Sequence, residues 1–146
     1  MYRIVVLILA SLIFDASVPA AQAPAPAGVC TDQSKLPADK RITNKVSWVT
    51  ASESENFGYD VYRGESADGK FIKLTKQPIL GAGTTYETHQ YKFIDETLNP
   101  CKDYWYYVES ITTQGGREKF TPVFKRPAKL NTDGSPVAAP STDKAH

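Results

Sequence analysis

Between residues 42 and 124, short runs rich in aromatic and β-branched residues alternate with turn-forming residues, and no other feature constrains the fold as strongly. In the run over 42–50, Ile42, Val46 and Trp48 fall on one face of an extended chain, and polar residues fall on the other. Turn signals recur roughly every 8–12 residues, and no useful stretch has the helical period. The pattern predicts an all-β fold, an antiparallel β-sandwich of about seven strands.

The predicted strands are separated by polar loops. The clearest runs cover residues 42–50, 57–63, 71–74, 91–95, 104–112 and 118–124. Residues 51–56 are predicted to be a polar loop. Residues 75–88 are predicted to be mostly loop, because a Gln-Pro pair and a Gly-Ala-Gly run interrupt any strand there. The predicted core consists of inward-facing residues: Trp48, Tyr59, Val61, Phe93, Leu98, Tyr104, Tyr106 and Val108.

The two ends of the chain differ in composition from its middle. Arg3, an apolar run over 4–14 and an Ala-x-Ala site ending at Ala23 follow the order of a secretory signal peptide, so we expect a secreted or periplasmic protein. The apolar run is shorter than the roughly 20 residues that span a bilayer, and an uncleaved anchor is the alternative. The expected organisation is a signal peptide over 1–23, a linker and N-terminal segment over 24–40, a domain over 41–130 and a disordered tail over 131–146.

The charge balance excludes some classes of partner. The chain has 17 Lys and Arg against 16 Asp and Glu, for a formal net charge of +1. A strongly basic nucleic-acid binder is therefore not expected. After signal cleavage, we also expect no integral membrane segment.

The order of motifs resembles a fibronectin type III domain of the kind found in bacterial secreted and envelope proteins. The likeness extends from about residue 42 to residue 123. It rests on Trp48, on the Tyr-x-Val pattern at Tyr59 and Val61, and on the Leu-x-Pro-x-x-x-Tyr-x-Tyr-x-Val pattern that runs from Leu98 through Tyr104 to Val108. The resemblance implies an immunoglobulin-like antiparallel sandwich that contacts protein or carbohydrate.

Tyr104 is expected to play a structural part in this pattern. It follows a turn that contains Pro100, and its ring points inward, where a buried phenol needs a hydrogen-bond partner. A tyrosine corner supplies that partner from the backbone a few residues upstream.

The chain departs from the family pattern in two respects. Residues 29–41 lack alternation, so the first strand is poorly marked. Cys30 and Cys101 are also unusual for the family. Because an even number of cysteines in a secreted chain favours a disulfide, we predict a bond between them, with two free thiols as the alternative.

The sequence contains few candidates for catalysis. His89 is expected to be a solvated loop residue without a second metal ligand nearby, so no metal site is predicted. Glu53, Glu55 and Asp60 fall close together in sequence and are the candidate carboxylates of a hydrolase, although a solvated loop explains them equally well. We predict no enzymatic activity and no cofactor.

Two surface features are candidates for binding. If Tyr104, Tyr106 and Val108 point inward, Trp105 and Tyr107 point outward, and they form an exposed aromatic face with Tyr62. The alternative is that these rings only pack across strands beneath Lys and Arg side chains. The segment from Arg117 to Lys129 has five basic residues and one acidic residue. It is a candidate for contact with an anionic surface, and the alternative is a basic strand that is simply exposed to solvent.

Three functions remain open on these grounds. The leading interpretation is a non-catalytic binding or spacer module that contacts an unknown protein or glycan. The first alternative is a structural accessory subunit of an envelope complex that docks through a sheet edge. The second is a small hydrolase that uses Glu53, Glu55 or Asp60.

The proposed signal peptide makes one prediction. Because the apolar run is too short to anchor the chain, the exported protein should be cleaved after Ala23 and begin at Pro24. N-terminal sequencing of the exported protein measures this directly. A chain that still begins at Met1 would contradict it.

Overall fold

The protein is described from a computed structural model, which describes residues 30, 31 and 33–138. The expected signal peptide, residues 24–29 and 32 of the expected linker and N-terminal segment, and residues 139–146 of the expected tail lie outside these residues. Within the described part, short 3-10 helices at Gln33–Lys35 and Ala38–Lys40 precede the strands.

Antiparallel strands make up almost all of the regular structure, which confirms the predicted all-β class. The eight strands in the described residues are β1 (Asn44–Thr50), β2 (Glu53–Gly64), β3 (Phe71–Lys73), β4 (Ile79–Thr85), β5 (His89–Asp95), β6 (Tyr104–Thr112), β7 (Arg117–Lys119) and β8 (Phe124–Arg126).

The strands are divided between a small sheet and a large sheet. In the small sheet, β1 pairs with β5 along its whole length, from Asn44 opposite Asp95 to Thr50 opposite His89. In the large sheet, β2 and β6 lie side by side at the centre. Along the edge of β2 that faces away from β6, the first part of β2 pairs with β4 and its last part pairs with β3. Along the edge of β6 that faces away from β2, β6 pairs with β7 and β8.

The core lies where the inner faces of the two sheets meet. Burial alternates along β1, so that Val46 and Trp48 face Tyr59 and Val61 of β2. The Trp48 and Tyr59 rings meet edge to face, with centroids 5.3 Å apart. The rest of the buried cluster comes from β6 and the turn before it: Leu98, Tyr104, Tyr106 and Val108. Phe93 is only partly buried against this cluster.

Three segments expected to be loop have a different structure. Residues 79–85 form β4, because the chain folds closely onto β2 where both strands have glycines. A Cβ atom on Gly58 would lie 2.4 Å from the carbonyl oxygen of Ile79, so only glycine permits this approach. His89 is the first residue of β5 and is not a loop residue. β2 begins at Glu53, inside the expected polar loop, and is irregular as far as Gly58.

A disulfide between Cys30 and Cys101 joins the N-terminal segment to the turn before β6, as predicted. The Asn99 side-chain amide donates a hydrogen bond to the Cys30 carbonyl at 2.7 Å. The Pro100 carbonyl accepts hydrogen bonds from the backbone amides of Lys129 and Leu130, at 2.8 and 3.0 Å. Both ends of the described chain are therefore fixed to one turn.

Tyr104 makes the contact expected of a tyrosine corner. Its side chain is buried, and its hydroxyl oxygen accepts a hydrogen bond from the Asn99 backbone N–H at 3.1 Å, five residues upstream. The contact closes the same turn that contains Cys101.

Replacing Tyr104 with Phe should lower the free energy of unfolding by roughly 1–3 kcal/mol, because the Asn99 N–H loses its acceptor in a partly buried site. Urea unfolding of the oxidised protein measures the change. Tyr86→Phe is the control, because Tyr86 is 94% exposed. Equal stabilities for Tyr104→Phe and the parent protein would argue against the corner.

Candidate functional site

The three candidate carboxylates are not brought together. Glu53 points inward from β2 and hydrogen-bonds to Tyr91 of the small sheet. Asp60 lies on the outer side of the large sheet, which is the face turned away from the core, beside Lys73 and Arg117. Glu55 is exposed and has a left-handed backbone with φ of 48°. The structure therefore gives no support to a hydrolase built from these three residues.

Glu53 is buried among hydrogen-bond donors. Its oxygens accept bonds from the hydroxyls of Thr50 and Tyr91, at 2.9 and 2.6 Å, from the side-chain amide of Asn56 at 2.6 Å, and from the Ala82 backbone N–H at 2.8 Å. Burial alone would raise its pKa, but these four bonds outweigh burial and lower the pKa of Glu53 to about 2. The carboxylate therefore stays ionised, and its hydrogen bonds link four strands, β1, β2, β4 and β5.

Asp60 is also fully buried and paired. It accepts hydrogen bonds from the Thr75 hydroxyl at 2.6 Å and from Arg117 at 2.9 Å, and Lys73 lies 3.5 Å away. Burial opposes ionisation, but these partners lower the pKa of Asp60 below its usual value. This cluster fastens β7 and β3 to the centre of the large sheet.

The aromatic face comprises Tyr62, Trp105 and Tyr107, which lie on the outer side of the large sheet. Tyr62 and Tyr107 are opposite each other in β2 and β6 and stack with ring centroids 4.8 Å apart. Phe71 meets Tyr107 edge to face at 5.0 Å, a contact the sequence did not reveal. The amine of Lys119 lies 4.5 Å from the Tyr107 ring centroid.

Much of this face is used for packing within the sheet. The Tyr62 hydroxyl donates a hydrogen bond to Glu109 at 3.0 Å, and burial together with that carboxylate raises the pKa of Tyr62 to about 12. Trp105 is half-buried, with the amine of Lys125 5.2 Å from its ring centroid. Tyr62 and Tyr107 stack on each other, whereas Trp105 lies outside that stack.

One edge of β1 has no neighbouring strand in residues 30–31 and 33–138. The Nη2 of Arg126 donates a hydrogen bond to the Lys45 carbonyl at 3.3 Å, so this carbonyl points away from β5. Backbone groups in an antiparallel pair alternate in direction, and those of Ser47 and Val49 therefore point away from β5 as well. Docking at a sheet edge is one of the alternatives expected from the sequence, which does not indicate which edge would be used.

A groove of about 440 Å³ runs beside this edge, between β1 and the segment that follows β8. We call it the β1 groove. It is lined by Thr43, Asn44, Lys45, Ser47, Arg126, Pro127 and Lys129. Pro127 has no backbone N–H, so it cannot donate a hydrogen bond that would extend β8 along the groove.

A smaller cleft of about 200 Å³ lies at the other side of the core, near Phe120. Phe120 is 42% exposed and meets Tyr59 edge to face, with centroids 5.4 Å apart. Glu53, which also lines the cleft, is already engaged with four donors. Apart from Tyr59, Ile111 and Phe120, the residues that line the cleft are polar or charged.

Among the described residues, no group of three or more His, Cys, Asp or Glu side chains is arranged to hold a metal ion. None of the helices in that part of the chain has the length and apolar character needed to traverse a bilayer.

Comparison with known proteins finds no match, whether among protein families, curated proteins or solved structures.

Replacing Glu53 with Gln should lower the free energy of unfolding at neutral pH, because the folded state stabilises the ionised carboxylate more strongly than the unfolded state does. The folded pKa of about 2 lies below the ordinary 4.5, so the contribution is complete above pH 4.5 and disappears as the pH falls toward 2. That contribution is about 3 kcal/mol.

Urea unfolding between pH 2 and 7 measures the effect. The stability gap between parent and Glu53→Gln should narrow across this window. Glu87→Gln is the control, because Glu87 is exposed. A gap that does not change with pH would contradict the assignment.

Proposed function

We propose that this protein is a secreted or periplasmic, non-catalytic interaction module that docks a partner protein along the free edge of β1. Its architecture is an immunoglobulin-like sandwich of the fibronectin type III kind. The motif order, the Tyr104 corner and the packing of Trp48 against the large sheet support this architecture. The disulfide supports an oxidising compartment.

The unpaired edge of β1 is the observation that supports docking most directly. β1 is seven residues long, and a strand of this length presents about 23 Å of edge. An exposed edge offers a row of unpaired N–H and C=O groups, which a chain from another protein satisfies by adding a strand. The adjacent groove leaves room for the side chains of that strand.

A second candidate is contact with protein or glycan through the aromatic face. Trp105 favours it, because its half-buried indole lies beside the Lys125 amine and stays outside the Tyr62–Tyr107 stack. Aromatic rings of this kind anchor protein interfaces. This surface and the free edge are separable by mutation, because they lie on different sheets.

Replacing Ser47 with Pro should abolish capture of the native partner. The change removes an N–H that faces the free edge and leaves the β1–β5 hydrogen bonds in place. Lys92→Pro is the matched control, because Lys92 is opposite Ser47 and its N–H faces the other edge of the small sheet. Crosslinking and pull-down from the native cell envelope provide the measurement, and circular dichroism checks that each variant is folded.

A double replacement of Trp105 and Tyr107 with Ala distinguishes the second candidate. If the edge docks the partner, capture survives this change and is lost only with Ser47→Pro. Capture that survives Ser47→Pro but fails in the double variant would assign the function to the aromatic face.

A further inference from the structure

We infer that the β1 groove binds an acidic, extended segment of a partner protein. The inference rests on the proposed function and adds the chemistry of the partner. Two independent properties of the groove lead to it: the direction of its backbone groups and the cations along it that form no ion pair with a described residue.

The backbone of β1 selects a polypeptide. Outward-pointing groups recur at Lys45, Ser47 and Val49, and alternate residues of a strand are spaced by about 7 Å. A peptide in extended conformation repeats donors and acceptors at the same spacing. A sugar chain does not offer this alternation of amide donors and carbonyl acceptors, so an extended peptide fits the edge better than a glycan.

The charge along the groove selects an acidic peptide. Lys45, Arg126 and Lys129 line it, and no Asp or Glu is among the described residues that do so. Within the described residues, none of these three cations forms an ion pair, although the neighbouring Lys125 is bonded to Asp103 at 2.5 Å. The three positive charges therefore remain available to carboxylates on an incoming strand.

Asn44 lines the groove, but its side chain is directed toward the core. The residue is only 3% exposed, and its side-chain amide donates to the Tyr106 hydroxyl at 3.0 Å. Its side-chain oxygen is buried and has no hydrogen-bond donor among the described residues. Because this oxygen is sealed from solvent, the outward backbone groups and the cations, rather than Asn44, would contact an incoming strand.

The same charges disfavour a second copy of this chain as the occupant. Two copies joined edge to edge along β1 would bring two sets of Lys45, Arg126 and Lys129 toward one another. Like charges brought together in this way are repulsive. An acidic partner removes that repulsion.

Defined peptides test the inference. The probe is a fluorescently labelled nine-residue peptide that alternates Glu with Thr, and its binding to the oxidised protein is measured by fluorescence anisotropy. Replacing every Glu with Lys should weaken binding at least about tenfold, as should Lys45→Ala combined with Lys129→Ala. Binding should also weaken as salt rises, because the groove is open to solvent.

Matched controls separate charge from backbone pairing. Ser47→Pro should abolish binding of the acidic peptide, whereas Lys92→Pro should leave it unchanged. Lys92→Ala is the charge control, because Lys92 belongs to the same sheet and lies outside the groove. Circular dichroism again confirms that each variant is folded.

The outcomes distinguish this inference from the function on which it rests. If a peptide with Gln in place of Glu binds equally well and remains sensitive to Ser47→Pro, the edge docks a peptide but charge does not select it. If no peptide binds, the inference is overturned, and native capture decides separately whether the proposed function stands. A dimer in analytical ultracentrifugation that Ser47→Pro dissociates would assign the groove to a second copy.

Discussion

Two buried carboxylates hold the small sheet on the large one, and the rest of the structure depends on them. At one end of β5, Asp95 accepts hydrogen bonds from Arg63 at 2.7 Å and from the Tyr106 hydroxyl at 2.8 Å, both from the large sheet. At the other end, Glu53 of the large sheet bonds to Tyr91 and Thr50 of the small sheet. An isolated pair of strands is only marginally stable in water, so these anchors, together with Trp48 between them, fix its position.

This arrangement explains how β1 keeps a free edge without loss of order. A third strand would normally stabilise so small a sheet through backbone pairing. Here the stabilisation comes from the inner face, through Val46, Trp48 and the two carboxylates, and it does not require a neighbour on the open side of β1. The disulfide and the Pro100 turn fix both ends of the described chain, and neither contact involves the pairing of β1 with β5. The edge is thus stable enough to persist and remains open to a partner.

The sequence predicted those parts of the fold that depend on local alternation. β1 and β6 follow the inward and outward pattern closely, and the cysteine count indicated the disulfide. β4 was missed because its glycines weaken a strand locally and are required only by close contact with β2. Glu53 was placed in a polar loop because its burial depends on donors from four separate strands. The free edge of β1 was not identified, because its neighbours depend on the whole sheet order.

The near-neutral net charge of +1 does not indicate how the individual charges are arranged on the surface. On the outer side of the large sheet, Arg117 is neutralised locally by Asp60 and Glu109, at 2.9 and 2.7 Å. In the β1 groove, three cations stand together without a described carboxylate partner. A total of +1 therefore excludes a strong long-range field but leaves a local one, because screening confines such a field to about 10 Å at moderate salt. The proposed selection of a partner by charge is consequently assigned to one groove, where the cations would act on a segment that the free edge aligns.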